Sequence, residues 1–246
     1  MTSLPTDSPT PLARAAAWLA LAVLISVLPA AAAEPDPALE RALTSFFRNA
    51  EVLHFDAVPD LYEGGYARIS VYTRRARIAD LLVEEGWVRL RGATLNVAQL
   101  REGNFRVDAV RDAAMRLRVS IRALEESMQA ASPKDDIRIT SDGTFLYGQG
   151  TVPLGGRLVR VELKGTLLVR GTPEVFLNLA TLRLNNFPLP SPLVEAVERR
   201  YNPVVKQRRW PVRFNFHSIR LTREEFLVSS EADPLVCSFC ADVPRR

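Results

Sequence analysis

The chain has 246 residues, 47% hydrophobic and 24% charged, which excludes an intrinsically disordered protein and supplies enough length for one sizeable domain or two small ones. Lys and Arg together number 32 against 28 Asp and Glu, a formal net charge of +4. This mild excess favours anionic partners such as phospholipid head groups, acidic glycans or nucleic acid.

Residues 1–33 read as an export signal. One cation, Arg14, precedes an apolar run over residues 15–33 that ends in small residues at Ala31 and Ala33, the order of a secretory signal with cleavage after Ala33. A retained anchor is the competing reading, because the run is nearly long enough to span a bilayer. Either way Arg14 before the run and Glu34, Asp36 and Glu40 after it place the folded part outside the cytoplasm. Export makes nucleic acid the least suitable of the three anionic partners.

A first amphipathic helix is expected over Pro37–Ala50, within an N-terminal segment 34–50. Asp36 serves as N-cap, Pro37 stands at the first helical position, and Leu39, Leu43, Phe46, Phe47 and Ala50 form its stripe. A β-rich domain over 51–230 follows. Alternation is expected over Tyr66–Ile78, Trp87–Val97, Phe105–Val119, Ile137–Val152, Arg157–Arg170, Val175–Phe187 and Val212–Leu221, with a short last strand at Phe226–Ser230. It is clearest over Arg157–Arg170, where Val159, Val161, Leu163, Gly165, Leu167 and Val169 share one face. Hairpin signals at Gly64-Gly65, Asp142-Gly143, Gly155-Gly156 and Gly171-Thr172 favour antiparallel neighbours. The hydrophobic parity switches near Gly92 and again between Phe216 and Ile219, so bulges and a strongly curved sheet are expected there. Further helices are expected from Ser120, with Ile121, Leu124 and Met128 on one side, and from Ser191 as cap to Arg199 and Arg200 in the last turn. The fold class is therefore α+β: a strongly curved antiparallel β-meander with a few amphipathic helices packed on it. Two similar halves, about 52–131 and 135–230, are faintly suggested, and Gly92-Ala93-Thr94-Leu95 echoes Leu179-Ala180-Thr181-Leu182.

Catalytic candidates are few. His54 and His217 lie outside any recognisable motif. His54 shares strand parity with Asp56, a pairing that can orient a base, yet no nucleophile is marked among the serines. The carboxylate pairs Glu84-Glu85, Glu125-Glu126, Asp135-Asp136 and Glu224-Glu225 are adjacent, so their side chains diverge on strand or helix and are poorly placed to share a proton or a metal. No phosphate-binding glycine loop is present. The expectation is no catalytic residue, no metal and no cofactor. Cys237 and Cys240, in a C-terminal tail over 231–246, supply too few ligands for a structural zinc site. Outside the cytoplasm they read as a local disulfide. Because they follow the last strand-like segment, removing the tail after Asp233 is expected to leave the fold intact.

The densest cationic cluster is Arg199, Arg200, Lys206, Arg208 and Arg209, flanked by Tyr201 and Trp210. Amphipathic aromatics beside cations suit a membrane interface, so this cluster is the expected head-group site. In its order of motifs the chain resembles the LmeA-like phospholipid-binding family of bacterial cell-envelope proteins over roughly residues 50–230. The resemblance rests on Gly65-Tyr66-Ala67-Arg68-Ile69, the strand Leu90-x-Gly92-x-x-Leu95, the junction Val119-x-Ile121-x-x-Leu124, the hairpin from Gly150 to Gly171, Leu189-Pro190 and Asn202-Pro203. It implies a coiled sheet similar to tubular lipid-binding folds, a phospholipid or other lipid as partner, and a periplasmic or extracellular envelope location. It carries no catalytic residue across. The loop Lys206–Arg209 and the terminal Cys pair depart from the family. Two other readings stand beside it: an envelope scaffold binding glycan or protein without a lipid site, and a hydrolase of unknown type.

Overall fold

In the computed structural model residues 36–243 are described, except 79–80, 132–135, 155–156, 204 and 209. The export signal expected over residues 1–33 therefore lies outside the described residues. The protein is mainly antiparallel β-sheet with a few helices, divided between two open sheets.

Helix α1 (Pro37–Phe46) begins where the sequence places it: the Asp36 carboxylate accepts from the Ala38 N–H at 2.8 Å. It stops four residues before Ala50 because Phe47 and Arg48 leave the helix as a short strand, β1 (Phe47–Arg48), paired with Ile78 and Arg77. Leu39, Ala42, Leu43 and Phe47 are buried against the first sheet. Asp36 also accepts from the Tyr66 phenol at 2.7 Å. Burial, reinforced by that carboxylate, raises the Tyr66 pKa well above the phenolic range. On Asp36 itself burial pulls upward, but the Tyr66 phenol, the Ala38 and Leu39 N–H groups and Arg41 outweigh it and hold the carboxyl low.

The first sheet contains β1, β2 (Val52–Pro59), β3 (Gly65–Ile78), β4 (Leu81–Leu95), β5 (Val107–Ser120), β12 (Ser218–Leu221) and β13 (Glu225–Ser229). Its strand order is β1-β3-β4-β5-β13-β12, with β2 beside β1 on the free edge of β3. The parity switch at Gly92 is a structural fact. Gly92 has φ +57°, and the inward residues pass from Val88 and Leu90 to Ala93 and Leu95. A Cβ at Gly92 would lie 3.2 Å from that of Arg111, so the left-handed conformation and the crowding both require glycine. A short helix, α2 (Val97–Arg101), replaces the expected strand end: the Asn96 side chain caps it by accepting from Gln99 N–H at 3.1 Å. Helix α3 (Ile121–Ala131) is capped by Ser120, whose hydroxyl accepts from Ala123 N–H. Ile121 and Ala123 are buried, but Met128, expected on the same side as Ile121, is exposed.

The second sheet holds β6 (Arg138–Ser141), β7 (Leu146–Leu154), β8 (Arg157–Val169), β9 (Glu174–Leu184), β10 (Phe187–Pro188) and β11 (Val205–Lys206), in the order β10-β9-β8-β7-β6 with β11 also on β9. The single strand expected over Ile137–Val152 is two, because Asp142-Gly143 makes the turn between them. There the Asp142 carboxylate accepts from the N–H groups of Phe145 and Thr144 and from the Tyr147 phenol. The Phe145 N–H, the phenol and the Thr144 N–H together hold its pKa down to about 2. A carboxyl depressed on folding stabilises the fold fully above its unfolded value of 3.8, and that contribution is lost as pH falls through about 2. An NMR titration should accordingly place the Asp142 midpoint near 2; a midpoint at an ordinary aspartate value would mean that the turn is not formed as described.

Helix α4 (Ser191–Tyr201) starts one residue earlier than a Ser191 cap would give, with Pro190 at the cap position. Of the expected strand Val212–Leu221 only Ser218–Leu221 pairs regularly. Val212, Phe214 and Phe216 run as an extended segment buried in the core, bridged to Thr172 through Phe216. The expected switch after Phe216 is present: the buried residues are even-numbered through Ser218, and Ile219 and Leu221 then turn to the core.

The tail corrects the sequence reading. Cys237 and Cys240 are disulfide-bonded, and between them Phe239 is 2% exposed on the outer face of the first sheet with Tyr72, Trp87, Ala114 and Val243. The Arg89 guanidinium lies 5.1 Å from the Phe239 ring centre. The segment after Asp233 is docked, so its removal would uncover an apolar patch.

Candidate functional site

Strands β8 and β9 carry an apolar face that is left partly uncovered. On one face stand Val159, Val161, Leu163, Leu167 and Val169 of β8, with Val175, Leu177, Leu179, Leu182 and Leu184 of β9. β9 supplies residues of both parities because its register shifts opposite Lys164/Gly165, leaving Ala180 as the extra residue. Gly148 on β7 makes room for the Leu163 side chain, since a Cβ there would come within 2.8 Å of it. One end of this face is continuous with the main core: Leu146 and Val175 are buried in it, and Leu167, Val169 and Val205 pack against it. Toward the other end Val159, Val161, Leu163, Leu179 and Leu184 are only half-buried. The result is an apolar strip that begins in the core and runs out along the sheet.

Helix α4 borders the strip by occupying the free edge of β9. Asn202 accepts from Leu177 N–H at 2.8 Å and donates to Leu177 C=O at 2.7 Å, while Glu198 accepts from Leu179 N–H. Side chains thus stand in for a neighbouring strand and satisfy an edge that would otherwise be open. Val194 and Val197 on α4 are half-buried, while Leu193 is 51% exposed and Phe187, on the adjoining β10, 75% exposed.

The expected head-group cluster is distributed around α4 and β11. Arg199 is exposed and ion-paired to Glu195 at 3.5 Å. Arg200 and Tyr201 end α4, Lys206 pairs across from Glu174 in β11, Arg208 is exposed, and Arg209 lies outside the described residues. Trp210 departs from the expectation. It is 9% exposed, with ring centres 6.4 Å from Phe46 and 6.3 Å from Phe214, and belongs to the core. Gln207 causes this inward turn: its buried amide donates to Phe214 C=O at 3.0 Å and accepts from Phe214 N–H at 2.7 Å, closing the loop so that position 210 points inside. Trp210 is therefore not an interfacial residue.

The outer face of the first sheet gathers a second polar array. Asp56 is ion-paired to Arg68, and the His54 ring stacks on Tyr72 with centres 6.5 Å apart. Arg89 is paired to Asp112 at 3.3 Å and Arg118 to Glu85 at 3.2 Å. His217 is exposed. No group of three His, Cys, Asp or Glu side chains that could hold a metal occurs among the described residues, nor is any described helix long and apolar enough to cross a membrane. Comparison with known proteins brings no neighbour: no family model, no curated protein and no solved structure matches the chain.

Proposed function

We propose that this protein binds phospholipid or a related lipid in the bacterial cell envelope, without catalysing a reaction on it, for transfer or for support of envelope biogenesis. The observation that carries the reading is the apolar strip on β8 and β9, continuous with the core at Leu167 and Val175 and running outward through half-buried Leu163, Leu179, Val161 and Leu184, with Leu182 buried among them. A globular domain ordinarily covers such a face, and a long apolar surface with a few polar groups at its border suits an acyl chain. The resemblance to LmeA-like proteins and the signal-like residues 1–33 support the same compartment and the same ligand class. In this reading the lipid lies along an open sheet face, and the register shifts at Thr94/Leu95 and at Ala180 are where a sheet of the tubular kind would bend around it.

Head-group recognition belongs, in this proposal, to Arg199, Arg200, Lys206, Arg208 and Arg209 with Tyr201. A cation close to an anionic bilayer contributes about 1 kcal/mol. A Lys206→Ala, Arg208→Ala, Arg209→Ala variant should therefore bind anionic vesicles up to about 3 kcal/mol more weakly at low salt, converge with the parent at high salt, and lose little on neutral vesicles. Equal flotation of both proteins with anionic vesicles at low salt would remove the cluster from the site. The reading as a whole is tested by titrating the protein with a fluorescently labelled phospholipid below its micelle-forming concentration. Saturable binding, displaced by unlabelled lipid, is the expected result; a signal that never saturates would turn the assignment toward an envelope scaffold.

A further inference from the structure

We propose that the C-terminal segment is a reducible strap, in which the Cys237–Cys240 disulfide locks Phe239 onto the outer face of the first sheet and a dithiol reductant releases it by attacking Cys237. Phe239 lies inside the four-residue disulfide ring, so the bond that closes the ring also fixes the direction in which the phenyl group points. The ring packs between Tyr72, Trp87 and Ala114 with the Arg89 guanidinium against it, and Val243 continues the contact. The strap has few other ties: Ser238 N–H and hydroxyl donate to the Glu231 carboxylate, and Asp242 N–H donates to Phe239 C=O at 3.2 Å. Cys237 and Cys240 are both half-buried residues, packed beside the cluster rather than sealed within it.

The two sulfurs are not equivalent. The Arg116 guanidinium donates to Cys240 Sγ at 3.8 Å, and also lies over the Trp87 ring. A neighbouring cation lowers a thiol pKa, and in exchange the sulfur of lower pKa leaves faster. Attack therefore falls on Cys237: the reductant thiolate forms a bond to Cys237 Sγ, the Cys237–Cys240 bond breaks, and its electron pair goes to Cys240 Sγ beside Arg116. The second thiol of the reductant then attacks the mixed disulfide, closes the reductant's own disulfide and leaves Cys237 reduced. Two electrons and two protons pass from the dithiol to the protein. With the ring open, nothing covalent holds the Phe239 ring at its site, and the face bearing Tyr72, Trp87, Arg89 and Arg116 becomes accessible.

The test is backbone hydrogen exchange on the exported form of the full chain, oxidised and after reduction by dithiothreitol verified by mass. A Cys237→Ser, Cys240→Ser variant serves as the permanently open strap. Exchange at Ser238 and Asp242 should rise at least about tenfold in both open forms, while β7–β9 amides stay unchanged. Verified reduction with unchanged exchange at these two amides would overturn the lock. Arg116→Gln should slow disulfide reduction several-fold, and Arg116→Lys should restore much of the rate. An unchanged or faster rate in Arg116→Gln would overturn the assignment of Cys240 as the leaving sulfur.

Discussion

Phe239→Ala should lower the melting temperature by roughly 10 °C, a large effect for a residue seven positions from the C-terminus. Truncating a buried phenylalanine costs about 3–5 kcal/mol, and in a domain of this size each kcal/mol is about 2–4 °C. Phe239 is 2% exposed, and its loss also removes the ring against the Arg89 guanidinium and uncovers Trp87. Truncation after Asp233 should cost at least as much, since Val243 leaves with it. Leu235→Ala, at an exposed position in the same segment, should change the melting temperature by little and serves as the control. Scanning calorimetry decides the matter: a Phe239→Ala protein that melts with the parent would mean that the tail is not docked in solution.

That docking was not legible in the sequence, because a tail of mixed composition with Pro234 and Pro244 gives no periodic signal. The face it covers sets Tyr72, Trp87 and Ala114 beside Arg89 and Arg116, and strand alternation alone does not say what packs on it. Only tertiary contact reveals the match. The parity switches, by contrast, were written plainly. Spacing of Leu90 to Ala93 across Gly92 announces a left-handed residue, and the echo between Ala93-Thr94-Leu95 and Ala180-Thr181-Leu182 falls where each strand's register shifts, at Thr94/Leu95 and at Ala180. The α1 cap was equally legible from Asp36-Pro37, whereas its early end was not, since the pairing of Phe47 with Ile78 is a long-range event that overrides helix periodicity. At the candidate site the apolar parity of β8 could be read from Val159 to Val169. That this face stays half-covered could not, for an alternating strand says which side is apolar but not what packs on it. The Trp210 expectation failed because charge density in the neighbouring loop said nothing of Gln207, whose two hydrogen bonds to Phe214 turn the indole inward.

A Leu163→Asp, Leu177→Asp double variant should lose lipid binding by roughly thirty- to a hundredfold while keeping its fold. Both residues lie on the same face and both are half-buried, so in the free protein the carboxylates remain hydrated at the cost of only modest repacking. A bound acyl chain would strip that water, and forcing a carboxylate against methylene groups removes about 2–3 kcal/mol of affinity. Arg160→Ala and Thr181→Ala, on the opposite face of the same strands, should bind as the parent does. Circular dichroism and the melting temperature separate lost affinity from lost structure. Unaltered affinity in a folded double variant would place the lipid elsewhere.

The most direct test of lipid binding is to purify the protein from membrane-containing cells and weigh it by native mass spectrometry, with organic extraction of the same sample. The account predicts a population heavier than the chain by one phospholipid-sized mass, a matching lipid in the extract, and the absence of both from the Leu163→Asp, Leu177→Asp variant. A parent protein that carries no lipid by either method would contradict it.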